Sequence, residues 1–158
     1  MSKIEEKLAS MGVVLPAPTP PIATYVPVVK TGNLLFVSGQ LCLGSDGKIA
    51  EKHKGKVGQN VSFEEAQAAA RLCAINLLVQ VKSITGDLDA VTRCVRLGGF
   101  VNADPAFATL ASVVNGASDF IVEVFGKEIG LHARAAVGVA ELPLDAVVEV
   151  DGIFEVKG

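Results

Sequence analysis

Apolar residues recur along this chain with two distinct periods. Between Ser62 and Gly86 they return at steps of three and four, as Phe63, Ala66, Ala70, Cys73, Leu77, Val81 and Ile84, the spacing of one helix face. Ser62 with Glu65 three positions on supplies a capping box that satisfies the first helical N–H groups, and Gly86 suits the left-handed residue that ends a helix. A second helix is predicted from Asp104-Pro105, an N-cap and first-turn pair. It continues through Phe107, Leu110, Val114, Ala117, Ile121 and Val124 to Gly126. Asn115-Gly116 inside it costs about 1 kcal/mol relative to alanine and marks a place where this helix could break.

The other period is two, the signature of strands. "NLLFVSGQLCLGSDGK" predicts a strand that runs to the turn Gly44-Ser45-Asp46-Gly47, with a bulge at Ser38-Gly39 and a hairpin partner near "KHKGKVG". "AVTRCVRLGGFVN" predicts another, and residues 133–142 and 147–156 predict a closing pair joined by "PLDA". Ahead of these, residues 2–11 form a short amphipathic helix, and "LPAPTPPIATYVP" is too rich in proline to continue it, so it runs extended across the surface.

The order of the main elements is therefore strand, strand, helix, strand, helix, strand, strand. That order fits an α+β fold: a mixed sheet with two helices on one face. In so short a chain the other face needs cover, which a second subunit would supply. The 158 residues make one domain, with residues 1–24 as an N-terminal helix and proline-rich extension.

Composition narrows the function. Half of the residues are hydrophobic and only 20% are charged, more apolar surface than a core of this size needs, so an oligomer is expected. No apolar run approaches the roughly 18 residues of a membrane span. Net charge is −3, tryptophan is absent and the basic residues are scattered, which opposes binding to nucleic acid. "MSKIEEKLASMG" lacks the apolar core of a signal peptide, so a cytoplasmic protein is expected. Cys42, Cys73 and Cys94 read as reduced core thiols, and His53 and His132 show no paired ligand spacing, so no metal site is expected.

Chemistry concentrates in "LHARAAVGVAELP". In a strand, Arg134 shares a face with His132, Ala136, Gly138 and Ala140, whose small side chains leave a hollow beneath the guanidinium. A planar fork of donors there suits a carboxylate. The alternative is a structural ion pair with Glu141, Glu149 or an acid of a neighbouring subunit. If the last two strands form a hairpin centred near Pro143-Leu144, Arg134 lies opposite about position 153 and shares a surface with Asp151. A carboxylate so placed can orient water and shuttle a proton, or it can simply be solvated.

These stretches carry a family resemblance. Gly32-Asn33 followed by a strand into Ser38-Gly39-Gln40, and later Ala133-Arg134 with Val139-Ala140, Leu142-Pro143 and an acidic strand, resemble the RidA/YjgF family, once called the endoribonuclease L-PSP family. The similarity runs from about Tyr25 to Val156. It implies a chorismate-mutase-like fold, a homotrimer with sheets facing inward, and cofactor- and metal-free hydrolysis of 2-aminoacrylate-type enamines or imines to 2-keto acids and ammonia. It also places Arg134 as the substrate-carboxylate anchor, Asp151 where deaminating members carry a water-positioning glutamate, and Tyr25 and Ser38 as pocket residues. Ala136 stands where those members have cysteine, its contact there being through the backbone. His132 replaces a residue that is often proline and either lines the pocket or titrates in it. The family asparagine of the second helix aligns with Ala111, and "VVNGASD" marks a divergent branch. Two functions remain open: such a deaminase, or a trimeric module that binds a small carboxylate without turnover. A ribonuclease fits worst.

Overall fold

The computed structural model describes residues 2–21 and 23–158; Ile22, which the sequence reading placed in the extended proline-rich segment, lies outside the described residues. Among the described residues three α-helices, α1 (Lys3–Ser10), α2 (Phe63–Thr85) and α3 (Leu110–Gly130), accompany five strands. The strands are β1 (Val28–Thr31), β2 (Leu34–Leu41), β3 (Val91–Asn102), β4 (Ala133–Val139) and β5 (Val148–Val156). They form one mixed sheet in the order β1-β2-β5-β3-β4, in which only β3 and β4 run parallel. The α+β class with a mixed sheet is as the two periods predict.

α2 has both of its predicted ends. Ser62 Oγ accepts from Glu65 N, the Glu65 carboxylate accepts from Ser62 N, and Gly86 closes the helix at φ 74°. Its middle, from Cys73 to Val81, is buried on every side. It is long and apolar enough by length and composition to cross a membrane, yet most of that apolar window is buried inside the fold. A helix enclosed all round loses its polar face for the same reason. Ile84 departs from the predicted stripe: it stands on the last turn and is 48% exposed. α1 also carries a capping box, Ser2 with Glu5, and Lys82 of α2 pairs with Glu5, so the arm is fastened to α2.

Three connections differ from the sequence reading. β2 forms its hairpin with β1, not with the "KHKGKVG" segment. The loop is the two residues Gly32-Asn33, with Gly32 at φ 58°, the glycine place of a tight II′ turn. The bulge at Ser38-Gly39 is present as a register shift between Val37 and Gln40. α3 starts at Leu110 rather than at Asp104. The Asp104 side chain accepts from Ala106 N at 2.8 Å and from Gln59 Nε2 at 2.8 Å, so it closes a local turn instead of capping a helix. Most consequential, β4 and β5 are not a hairpin. β3, α3 and β4 form a strand–helix–strand unit, which requires β3 and β4 to be parallel. β5 then passes over to the far side of β3.

α2 and α3 cross closely at Gly116, where an added Cβ would lie 2.1 Å from Gln67 O. The Asn115-Gly116 pair therefore leaves α3 unbroken and serves the crossing. The break comes at Gly126 (φ 79°, ψ 166°), after which one more turn leads to Gly130.

Candidate active site

Arg134 sits on the edge strand β4, in register with Leu97 of β3, and its side chain lies along α3. Nη1 donates to Asn115 Oδ1 at 2.7 Å and to Ser118 Oγ at 3.1 Å, and Nη2 donates to Ala111 O at 3.2 Å. All three acceptors are uncharged. The ion pairs found among the described residues are Lys54–Glu51, Lys82–Glu5 and Arg96–Asp151, so Arg134 has no acid partner among them. The structural alternatives with Glu141 and Glu149 do not form. Glu141 Oε1 accepts from Asn102 Nδ2 and Leu142 N, and Glu149 lies on the other side of the sheet.

Positions 111, 115 and 118 fall on one face of α3, being four and three apart. That spacing was legible in the sequence. The sequence nevertheless does not single out Asn115 and Ser118, because the resemblance sets Ala111 at the family asparagine and leaves "VVNGASD" as a divergent segment. In the structure Asn115 is the asparagine that meets the guanidinium, while Ala111 contributes only its carbonyl. His132 joins the same group, with Nε2 2.8 Å from Ser118 Oγ and Nδ1 2.7 Å from Gly130 O. Ala136 shares the parity of Arg134 and packs against the core.

Asp151 is elsewhere. Leu97 pairs with both Arg134 and Gly152, whereas the next residue, Gly98, pairs with Ala135 and Asp151. Arg134 and Asp151 therefore project from opposite faces of the sheet, contrary to the expected shared surface. The insertion of β3 between β4 and β5 changed the register by one residue, and one residue reverses the face.

On that opposite face Asp151 shares an open cavity of about 290 Å³ with Ser38, Arg96, Phe36 and Val29. Gly98 makes room for the carboxylate, since a Cβ there would lie 2.3 Å from Asp151 Oδ1. Oδ1 is buried without a hydrogen bond, and Arg96 Nη1 stands 3.7 Å away. Burial raises the Asp151 carboxyl above the usual aspartate range, and the Arg96 charge opposes that rise only in part. Glu149 lies in a similar notch over Gly39, raised by its own burial and by the charge of Asp151. Ser38 Oγ donates to Val26 O at 2.9 Å. That bond ties the strand to the segment bearing Tyr25, which is half exposed at the edge of a cavity of about 420 Å³ with Gln40, Gln80 and Leu144.

The predicted site residues thus fall into two groups within one chain. Arg134, His132 and Ala136 form one, with Asn115 and Ser118. Ser38 and Asp151 form the other, with Arg96 and with Tyr25 nearby. No cluster of three His, Cys, Asp or Glu side chains suited to a metal occurs among the described residues. Cys42, Cys73 and Cys94 are free and buried.

Comparison with known proteins places the chain in a family. The chain is similar to Protein TCP17 of Trypanosoma cruzi, with 45% identity over 155 residues, 98% of this chain and 95% of that protein. The crystal structure of Atu1372 from Agrobacterium tumefaciens, described as of unknown function, is 48% identical with a TM-score of 0.87, covering 98% of this chain and 94% of that one. A structure from Shewanella oneidensis described as a putative endoribonuclease is 28% identical, with a TM-score of 0.92 over 98% of this chain and 100% of that one. Residues 5–156 match the family model itself, and the chain belongs to the YjgF/chorismate mutase-like, putative endoribonuclease family.

Proposed function

We propose that this protein hydrolyses reactive enamines or imines of the 2-aminoacrylate type to 2-keto acids and ammonia, acting in the cytoplasm as a homotrimer. The observation that carries this reading is the guanidinium of Arg134, held by three neutral oxygens and lacking an acid partner among the described residues. A cation fixed in that way binds an incoming carboxylate without first breaking an ion pair, and its fork favours two parallel hydrogen bonds.

The opposite placement of Arg134 and Asp151 requires two copies of the chain to complete one site. Val29, Phe36 and Val137 are 50%, 43% and 44% exposed on the face that bears Asp151, and contact with further copies would cover them. One subunit then contributes Arg134, with Ala136 through its backbone, and the next contributes Tyr25, Ser38 and Asp151. The substrate carboxylate binds Arg134, and Asp151 holds a water against the iminium carbon. The carboxylate orients that water by accepting one of its hydrogen bonds. Hydrolysis of an imine consumes only water, so the reaction calls for no cofactor or metal.

A second reading is favoured by one observation: Arg96 lies 3.7 Å from Asp151 and can occupy its carboxylate. In that case the same cleft holds a small carboxylate without turning it over. The deciding experiment exposes purified protein to freshly generated 2-aminoacrylate and follows keto acid and ammonia. Acceleration that disappears in Arg134→Ala while the fold persists supports the deaminase. An intact protein that binds pyruvate and gives no acceleration is the binding module. Loss of folding in Arg134→Ala would restore a structural role for the arginine.

A further inference from the structure

Beside Arg134 lies a hydrogen-bonded chain of which the deaminase reading uses only the Ser118 oxygen, as one of the holders of the guanidinium. Its proton positions follow from the chemistry of each group. A guanidinium only donates, so Ser118 Oγ is an acceptor for Arg134 Nη1 at 3.1 Å. Gly130 O only accepts, so His132 Nδ1, 2.7 Å away, carries a proton. In the neutral imidazole this leaves Nε2 as an acceptor. The single proton of the Ser118 hydroxyl then points to Nε2 across 2.8 Å. The chain runs in one direction, from guanidinium to hydroxyl to imidazole to carbonyl.

The carbonyl at its end is held firmly. After the break at Gly126 the last turn folds back on the helix so closely that a Cβ at Gly130 would stand 2.8 Å from Val122 Cα and 2.9 Å from Ile121 O. An imidazole oriented through Nδ1, with a hydroxyl on Nε2, has the geometry of a general base and the group it serves. Ser118, His132 and Arg134 are all half-buried rather than sealed in the core. The groups bonded to this pair are Gly130 O and the Arg134 guanidinium, and no carboxylate among the described residues forms a salt bridge with the imidazole.

We propose that Ser118 and His132 are a proton relay for hydrolysis at the Arg134 site. This inference rests on the deaminase reading and adds two catalytic residues to it, on the same subunit as the carboxylate anchor. As water adds to the iminium carbon and the C–O bond forms, Ser118 Oγ takes the released proton and passes its own to His132 Nε2. The resulting imidazolium is stabilised by its bond to Gly130 O. His132 then returns the proton through Ser118 to the nitrogen of the carbinolamine. The C–N bond breaks, the carbonyl forms, and the hydroxyl proton leaves with ammonia as ammonium. No electrons are exchanged with another reactant.

The test compares wild type, Ser118→Ala, Ser118→Thr and His132→Gln for turnover of 2-aminoacrylate and for binding of pyruvate by calorimetry. Ser118→Ala and His132→Gln are expected to bind pyruvate within about twofold of wild type while kcat falls by roughly 10²- to 10⁴-fold, the usual contribution of a positioned acid–base group. Ser118→Thr, which keeps a hydroxyl, should restore much of the rate. Turnover retained in both Ser118→Ala and His132→Gln overturns the relay and leaves the deaminase intact. Pyruvate binding that falls in step with turnover also overturns it, because the two residues would then only hold the arginine in place. Absence of turnover in wild type overturns the deaminase reading and the relay together. If Ser118→Ala does not fold, His132→Gln and Ser118→Thr carry the comparison.

Discussion

Replacing Gly116 by alanine should destabilise the protein, although alanine is the better helix former. Inside a helix that exchange alone gains about 1 kcal/mol. Here the new methyl would stand 2.1 Å from Gln67 O, 2.9 Å from Gln67 C and 3.1 Å from Gln67 Cα. All three belong to the backbone of α2, which no rotamer change can clear. Since real Cβ contacts do not fall below 3.0 Å, the helices must separate by roughly 1 Å. That movement also strains the bond from Gln67 Nε2 to Ser112 O, 2.8 Å long. Forcing a methyl into a packed site costs about 1–3 kcal/mol, and loss of one hydrogen bond adds about 1 kcal/mol. Against the gain in propensity, the net loss is about 1–3 kcal/mol. With a urea m-value of about 2 kcal/mol/M, the midpoint should fall by roughly 0.5–1.5 M at unchanged m. Urea titrations at one fixed protein concentration measure it. Gly86→Ala is the comparison, since nothing lies within 4 Å of its Cβ and only its φ of 74° is unfavourable. A Gly116→Ala protein as stable as wild type, or more so, would refute the close crossing.

Further predictions concern titrating groups. His53 is buried with neither ring nitrogen hydrogen-bonded, and burial lowers its pKa below 6.5. The unfolded chain therefore binds a proton that the folded one resists. The contribution of His53 to stability is full above pH 6.5 and is lost as pH falls below it toward the folded value. His53→Met should flatten the dependence of the urea midpoint on pH between 7 and 5, and an unchanged slope would count against this origin. Asp151 has the opposite sign for stability, because its folded pKa is raised: its contribution is full at acid pH, below 3.8, and is lost as pH rises through the folded value. Asp151→Asn should melt at a higher temperature than wild type at pH 7 while losing deaminase activity. Equal or lower melting would show that Arg96 compensates the charge fully. Cys94 is buried and its thiol is pushed up to about 12, so iodoacetamide at pH 8 should leave it unlabelled in the native protein and modify it in denaturant. Mass spectrometry of the peptide decides this.

Local rules were sufficient where neighbours in sequence are also neighbours in space. The capping box at Ser62 and Glu65, the left-handed Gly86 and the bulge at Ser38-Gly39 depend on a few adjacent residues, and all were legible. The small neighbours of Arg134 along β4 were legible too, but not the α3 face on which the guanidinium rests. The start of α3 was not legible, because Asp104 has a choice between capping a helix and closing a turn, and Gln59, distant in sequence, holds it in the turn. The pairing of Arg134 with Asp151 failed for a related reason. Parity along a strand is a local property, but the strand beside it and the register are decided by long-range pairing, and a one-residue change of register exchanges the faces. The spacing of Ala111, Asn115 and Ser118 was present in the sequence, yet nothing there says which side chain an α3 face meets. The sequence by itself determined which segments become helix or strand and which residues can carry charge or a proton. Only the tertiary structure decided which of them meet, because the parallel β3–α3–β4 unit sets Arg134 against α3 and leaves Asp151 on the other face of the sheet.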